Sequence, residues 1–171
     1  MLDPSVLMRR AIRYVCDEHE ISPEFFKISG DIQEQFQDLV IAVRDDMEYN
    51  QLRYFRPFKH QLRFFETGAS DRRGILAANR IGKTVSTCYE TAMHLTGQYP
   101  EWWQGKRYAK PVTAMVAGEG WEQVARVLQQ ELLGTQDVKI QNNLGTGAIP
   151  RDAIVFETMR NDGANCLGCE I

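Results

Sequence analysis

Gly82, Lys83 and Thr84 are the residues whose types and spacing most plainly offer chemistry. A glycine lets phosphate oxygens approach the backbone, a lysine brings a point charge to outer phosphates, and a threonine hydroxyl can ligate Mg2+. With Ala78, Asn79, Arg80 and Ile81 they would form a loop of amides closing on a helix N-terminus. Unsatisfied N–H groups and the helix dipole favour anions there. The chemistry indicated is the holding of a nucleotide's phosphates with Mg2+ on Thr84. The full phosphate-loop pattern also asks for glycine at position 77, where this chain has Ala77. Alanine fits if that residue keeps strand-like angles. Read without the nucleotide, the triplet is an ordinary helix start.

Such a loop needs a strand before it and a helix behind it. Ile75, Leu76 and Ala77 read as the end of a buried strand, and residues 85–95 as the helix. A second buried strand is expected at 111–117, PVTAMVA, with a turn at 118–120. A helix then opens near Glu119 and Trp121 and runs to Leu133, with Val124, Leu128 and Leu132 on one stripe. Strand, helix, strand, helix predicts an α/β fold, a P-loop NTPase-like three-layer parallel sheet. Weaker strand signals fall at 138–140 and 153–157, and 159–168 reads as a polar, glycine-containing stretch. The sheet is expected to be incomplete, because two or three strands cannot bury both faces of an open sheet.

Upstream, residues 1–50 form a small acidic helical segment. Asp3 before Pro4 and Ser22 before Pro23 are N-cap and first-turn signals. Leu7, Ala11, Tyr14 and Val15 share one helical side, as do Ile32, Phe36, Leu39, Val40 and Val43. The segment either covers the main domain or docks a partner. Residues 51–67 are the densest aromatic and basic stretch, and Phe58, Leu62 and Phe65 are spaced to face a core. Gln61 lies among them. Its amide donates and accepts at once, the pattern an adenine edge requires; on most helices such a glutamine meets only solvent. The adjacent Trp102 and Trp103 cannot both face one core, so at least one should cover an edge or a cleft mouth.

Charge is unevenly divided. Residues 1–50 have 5 basic and 11 acidic side chains, 51–110 have 11 and 4, and 111–171 have 4 and 8. The net −3 therefore conceals a +7 segment around the loop, where polyanions would be handled. No apolar run reaches membrane-spanning length, and the first 15 residues lack the apolar core of a signal peptide. Cys16 and Cys88 read as buried thiols. Cys166 and Cys169 make a single C-x-x-C without the second ligand pair of a zinc site or the βαβ context of a redox motif. A reducing cytosol fits. Hydrolysis of ATP would also need an acidic residue ending another buried strand. Glu157, after Ile154, Val155 and Phe156, is the nearest match, and an ordinary strand end is the preferred reading of it.

The run LAANRIGKT, followed by TAMHLTGQYPEWWQGKRYAKPVTAMVAGEGWEQVARVLQQELLG, resembles the N-terminal ATPase domain of the large terminase subunit of tailed bacteriophages, the motor that packages DNA. The resemblance covers roughly 57–157. Such motors commonly replace the first loop glycine, which makes Ala77 expected. It implies that Lys83 binds the outer phosphates of ATP, Thr84 its Mg2+, Arg80 the γ-phosphate and Gln61 the adenine, with Lys83 and Arg80 the catalytic pair. It implies that 51–171 is the first part of a P-loop ATPase domain carrying a Walker A loop, and that the chain is a piece of a longer hydrolase. It also implies double-stranded DNA, the small terminase subunit and the portal protein as partners, a homo-oligomeric ring, no membrane, and the host cytoplasm. A helicase or kinase with the same loop, or a non-catalytic adaptor, are the rival readings.

Overall fold

The computed structural model describes residues 3–171, and the chain divides into two compact units, Met1–Tyr49 and Asn50–Ile171. The first consists of three helices. Asp3 accepts the N–H of Ser5 (2.8 Å) and starts α1, Pro4–Glu18; Ser22 accepts the N–H of Phe25 (3.3 Å) and starts α2, Pro23–Ile28. Helix α3, Gly30–Tyr49, lies against α1. Leu7, Ala11, Val15 and Cys16 are buried with Phe26, Val40, Val43 and Met47. The amide of Gln33 closes the α2–α3 corner by donating to the carbonyls of Phe26 (2.8 Å) and Lys27 (3.0 Å).

The second unit is organised around α5, Lys83–Thr96, which ends at Gly97 in a left-handed conformation (φ 69°). Helix α4, Lys59–Phe65, packs on it, as does a helix over 121–133 whose middle, Val124–Gln129, is π-helical. Cys88, Tyr89, Ala92 and Met93 of α5 meet Phe65, Trp103, Leu132, Leu133, Leu144 and Ile149 in one core. The adjacent tryptophans separate as expected: Trp103 is buried and Trp102 half-buried. Phe58 departs from its expected place and is exposed at the N-cap of α4. The last carbonyls of the 121–133 helix are satisfied from outside it. Glu131, Leu132 and Leu133 accept the N–H groups of Ala148, Ile149 and Gly145 at 2.8–2.9 Å.

The expected parallel three-layer sheet is absent. Among the described residues the sheet is one antiparallel hairpin, β1 (Val155–Asp162) with β2 (Asn165–Glu170). Residues 75–77 and 111–117 pair with no strand; Leu76 and Met115 stand almost wholly in solvent. The apolar character of those runs is real, but a strand exists only when a neighbour completes its hydrogen bonds. Residues 138–140 are likewise not a strand. The 153–157 signal marks the start of β1, and the hairpin continues through residues that read as a polar loop. Gly163 and Ala164 make its turn, Gly163 at φ 61°. The fold is thus mostly helical, not α/β.

Candidate functional site

The loop that carries the sequence signal is a turn running straight into α5. Arg80 (φ 63°) and Gly82 (φ 82°) both lie in the left-handed region, and α5 begins at Lys83. The Lys83 ammonium folds back and donates to the carbonyls of Ala77 and Ala78, each at 2.7 Å. It therefore ties the turn closed from inside. Asn79, Arg80 and the residues before them are exposed, and Ile81, Gly82, Lys83 and Thr84 are half-buried.

Helix α4 holds the turn from the other side. Gln61 is buried; its Oε1 accepts the N–H of Phe58 (2.8 Å) and its Nε2 donates to the Gly82 carbonyl (3.4 Å). His60 Nε2 meets the Ile81 carbonyl at 2.9 Å. The Gln61 amide caps α4 through its oxygen and tethers Gly82 through its nitrogen. These two bonds join α4 to the turn; Lys59 precedes His60 and Arg80 precedes Ile81 by one residue. Arg63 follows Lys59 by four residues on the same helical face. Three exposed cations thus lie on the two segments joined at the start of α5.

A cleft of about 670 Å3 extends from Lys83 and Thr84 along α5 past Thr87 and Thr91 to His94. Its wall carries charges that the sequence reading did not single out. Arg73 bonds Glu90, lies 4.5 Å over the Phe64 ring and donates to the Phe64 carbonyl (3.2 Å). His94 Nε2 also approaches Glu90, at 3.4 Å, and the second Glu90 oxygen is buried with no partner among the described residues. Lys106 pairs with Asp71, which holds that carboxyl below its ordinary range and raises the lysine. The Glu90–His94 spacing on an apolar helix was the available signal.

Gly82→Ala should be tolerated only with rearrangement. A Cβ there would sit 2.7 Å from Gln61 Nε2, and φ 82° is strained for alanine. The expected cost is about 1–2 kcal/mol in chemical denaturation, with faster hydrogen exchange at 58–62 as the Gln61 tether is displaced. Unchanged exchange in α4 would show that the tether does not hold it.

No family profile and no solved structure matches the chain. Over 114 residues it is 32% identical to the terminase large subunit of Salmonella phage P22, covering 59% of this chain and 22% of that protein. The chain spans about a fifth of the length of this relative. The similarity is distant and partial, and the fold overturns the stronger expectation of an ATPase fragment. A Walker A loop presents phosphates at the edge of a parallel sheet, and the only sheet among the described residues is an antiparallel hairpin at 155–170. Glu157 is exposed on β1, and no group of His, Cys, Asp and Glu able to hold a metal occurs among the described residues. The assignments of ATP, Mg2+, P-loop architecture and hydrolase activity, with the motor function built on them, therefore fall. No helix among the described residues is long and apolar enough to cross a membrane.

Proposed function

We propose that the 59–84 cluster is a phosphate-contacting surface through which the chain associates with double-stranded DNA in a packaging assembly. The observation that carries this reading is the placement of three exposed cations, Lys59 and Arg63 on α4 and Arg80 in the turn, on the two segments that the His60–Ile81 and Gln61–Gly82 bonds join. All three are exposed and hold no ion pair among the described residues. Backbone amides of Asn79–Gly82 add donors to the same place. Duplex phosphates are recognised by charge and N–H groups without base readout, so the absence of a nucleotide-binding sheet does not weigh against this role. The distant likeness to a terminase subunit supports DNA-packaging components as partners. On the same reading the small terminase subunit and the portal protein are the protein partners, met by the acidic helices of 1–49, and a ring of copies is the working form.

Fluorescence anisotropy with a random-sequence duplex at several salt concentrations tests the reading. Three phosphate contacts give a log–log salt slope of about −2.7 and dissociation constants around 10−4–10−6 M at physiological salt. The triple substitution Lys59→Ala, Arg63→Ala, Arg80→Ala should flatten the slope by about 2.7. A triple variant binding like the parent, or a parent that binds no duplex at low salt, would sink the proposal.

A further inference from the structure

The C-x-x-C pair has no part in the DNA surface, and its geometry is not that of an ordinary strand. Residues three apart on a regular strand face opposite sides of a sheet. In β2, however, Cys166 lies opposite Asn161 and Gly168 opposite Arg160, so Leu167 is one residue too many. This bulge restores the phase and brings Cys166 and Cys169 to one side, while Leu167 turns out to solvent. Both thiols, half-buried, line one largely apolar cavity of about 550 Å3 with Val112, Leu128 and Leu132.

Cys166 is also fixed from behind. Its N–H donates to Gln129 Oε1 (2.7 Å), and Gln129 Nε2 donates to the Ala164 carbonyl (3.0 Å). The π-helical turn therefore anchors the first cysteine, whereas Cys169 sits near the end of the strand. Zinc would need further ligands, and no third His, Cys, Asp or Glu joins the pair among the described residues.

We propose that Cys166 and Cys169 form a thiol–disulfide exchange site for small disulfides bearing an apolar or extended group that the cavity can seat. The Cys166 thiolate attacks one sulfur of R–S–S–R; a Cys166–S bond forms, the original S–S bond breaks, and RS− leaves to take a proton from water. Cys169 gives its proton to water and attacks the Cys166 sulfur, releasing the second RS−, which is protonated in turn. The protein loses two electrons and two protons and gains one disulfide; R–S–S–R becomes two R–SH. The hydrogen bond from Cys169, helped by the Gly168 N–H, outweighs burial and brings Cys166 down to about 7, while the same bond and burial raise Cys169. The remaining thiols are unsuited to attack. Burial with nearby Glu131 pushes Cys88 up to about 12, and burial raises Cys16.

The test uses the whole chain, with iodoacetamide and oxidised glutathione as probes and peptide mass spectrometry as the readout. Alkylation of Cys166 should rise with a midpoint near pH 7 and exceed that of Cys88 by more than about a hundredfold at neutral pH. Oxidised glutathione should convert the parent to a Cys166–Cys169 disulfide without an adduct, reversed by dithiothreitol. Cys169→Ser should accumulate glutathione on Cys166, and Cys166→Ser should accumulate none. Equal reactivity of Cys166 and Cys88, an adduct on Cys169 in the parent, or stoichiometric zinc that protects both thiols would overturn the proposal. The alkylation profile needs no variant, so a misfolded substitution leaves it decidable. Its failure would leave the DNA reading untouched.

Discussion

Trp103→Ala should destabilise the Asn50–Ile171 unit by about 3–5 kcal/mol, the cost typical of removing a buried aromatic side chain. Trp103 is 2% exposed, and its ring lies between Phe65, Tyr99 and His94 at centroid distances of 5.6–6.2 Å. It also lies so close to Gly68 and Gly105 that a Cβ at Gly105 would come within 2.3 Å of the indole. Its Nε1 donates to the Lys106 carbonyl (3.0 Å), which fixes the 97–110 loop beside the cleft. Truncation would therefore open a cavity between two backbone segments too constrained to collapse into it. At roughly 3–5 °C per kcal/mol for a unit of this size, the melting temperature should fall by about 10–20 °C. Trp103→Phe keeps most of the packing but leaves the Lys106 carbonyl unpaired, at about 1–3 kcal/mol. A loss below about 1 kcal/mol for the alanine variant, well under the usual aromatic cost, would show that the loop is not anchored this way.

The second large effect is expected at Arg73. Its guanidinium is the main partner of Glu90, whose side chain is 6% exposed. Arg73→Ala leaves that carboxylate buried with only the longer His94 contact, and breaking a buried pair from one side costs about 3–5 kcal/mol. The pair is not for that reason a source of net stability, since desolvating both groups offsets most of their attraction. Arg73→Met combined with Glu90→Leu should accordingly recover most of the loss, to within about 1–2 kcal/mol of the parent. Equilibrium unfolding of the parent, Arg73→Ala and the double variant decides the matter. A double variant that loses as much as Arg73→Ala, or more, would mean that the unpaired Glu90 carboxylate is not the source of the loss.

The helices were legible because their ends are written in local chemistry. Asp3 and Ser22 do accept first-turn N–H groups, and Gly97 and Gly134 do adopt the left-handed angles that end a helix. The turn at 79–82 and the helix start at Lys83 follow from the same kind of signal. The sheet was not legible, because a short apolar run such as 75–77 or 111–117 has no period that separates a buried strand from exposed chain. What decides is a pairing partner elsewhere, and the hydrophobicity of one segment says nothing about whether one exists. The hairpin at 155–170 was readable in principle from Gly163–Ala164, a two-residue turn with glycine at its first central position. Its strands lack clean alternation because β1 is irregular between Val155 and Arg160 and β2 bulges at Leu167, which hid them. The Arg73–Glu90–His94 wall was invisible for a different reason. Nothing in sequence spacing places residue 73 over residue 90.

Leaving residues 75–77 and 111–117 outside the core has a consequence for variation in this chain. Met93 and Leu144 are enclosed on every side, so almost any exchange there is felt. Leu76 and Met115 touch little but water, and drift from apolar to polar at those two places is released from the demands of folding. Persistent oiliness at Leu76 and Met115 across diverged copies would point to a selective pressure that the packing of this unit does not supply.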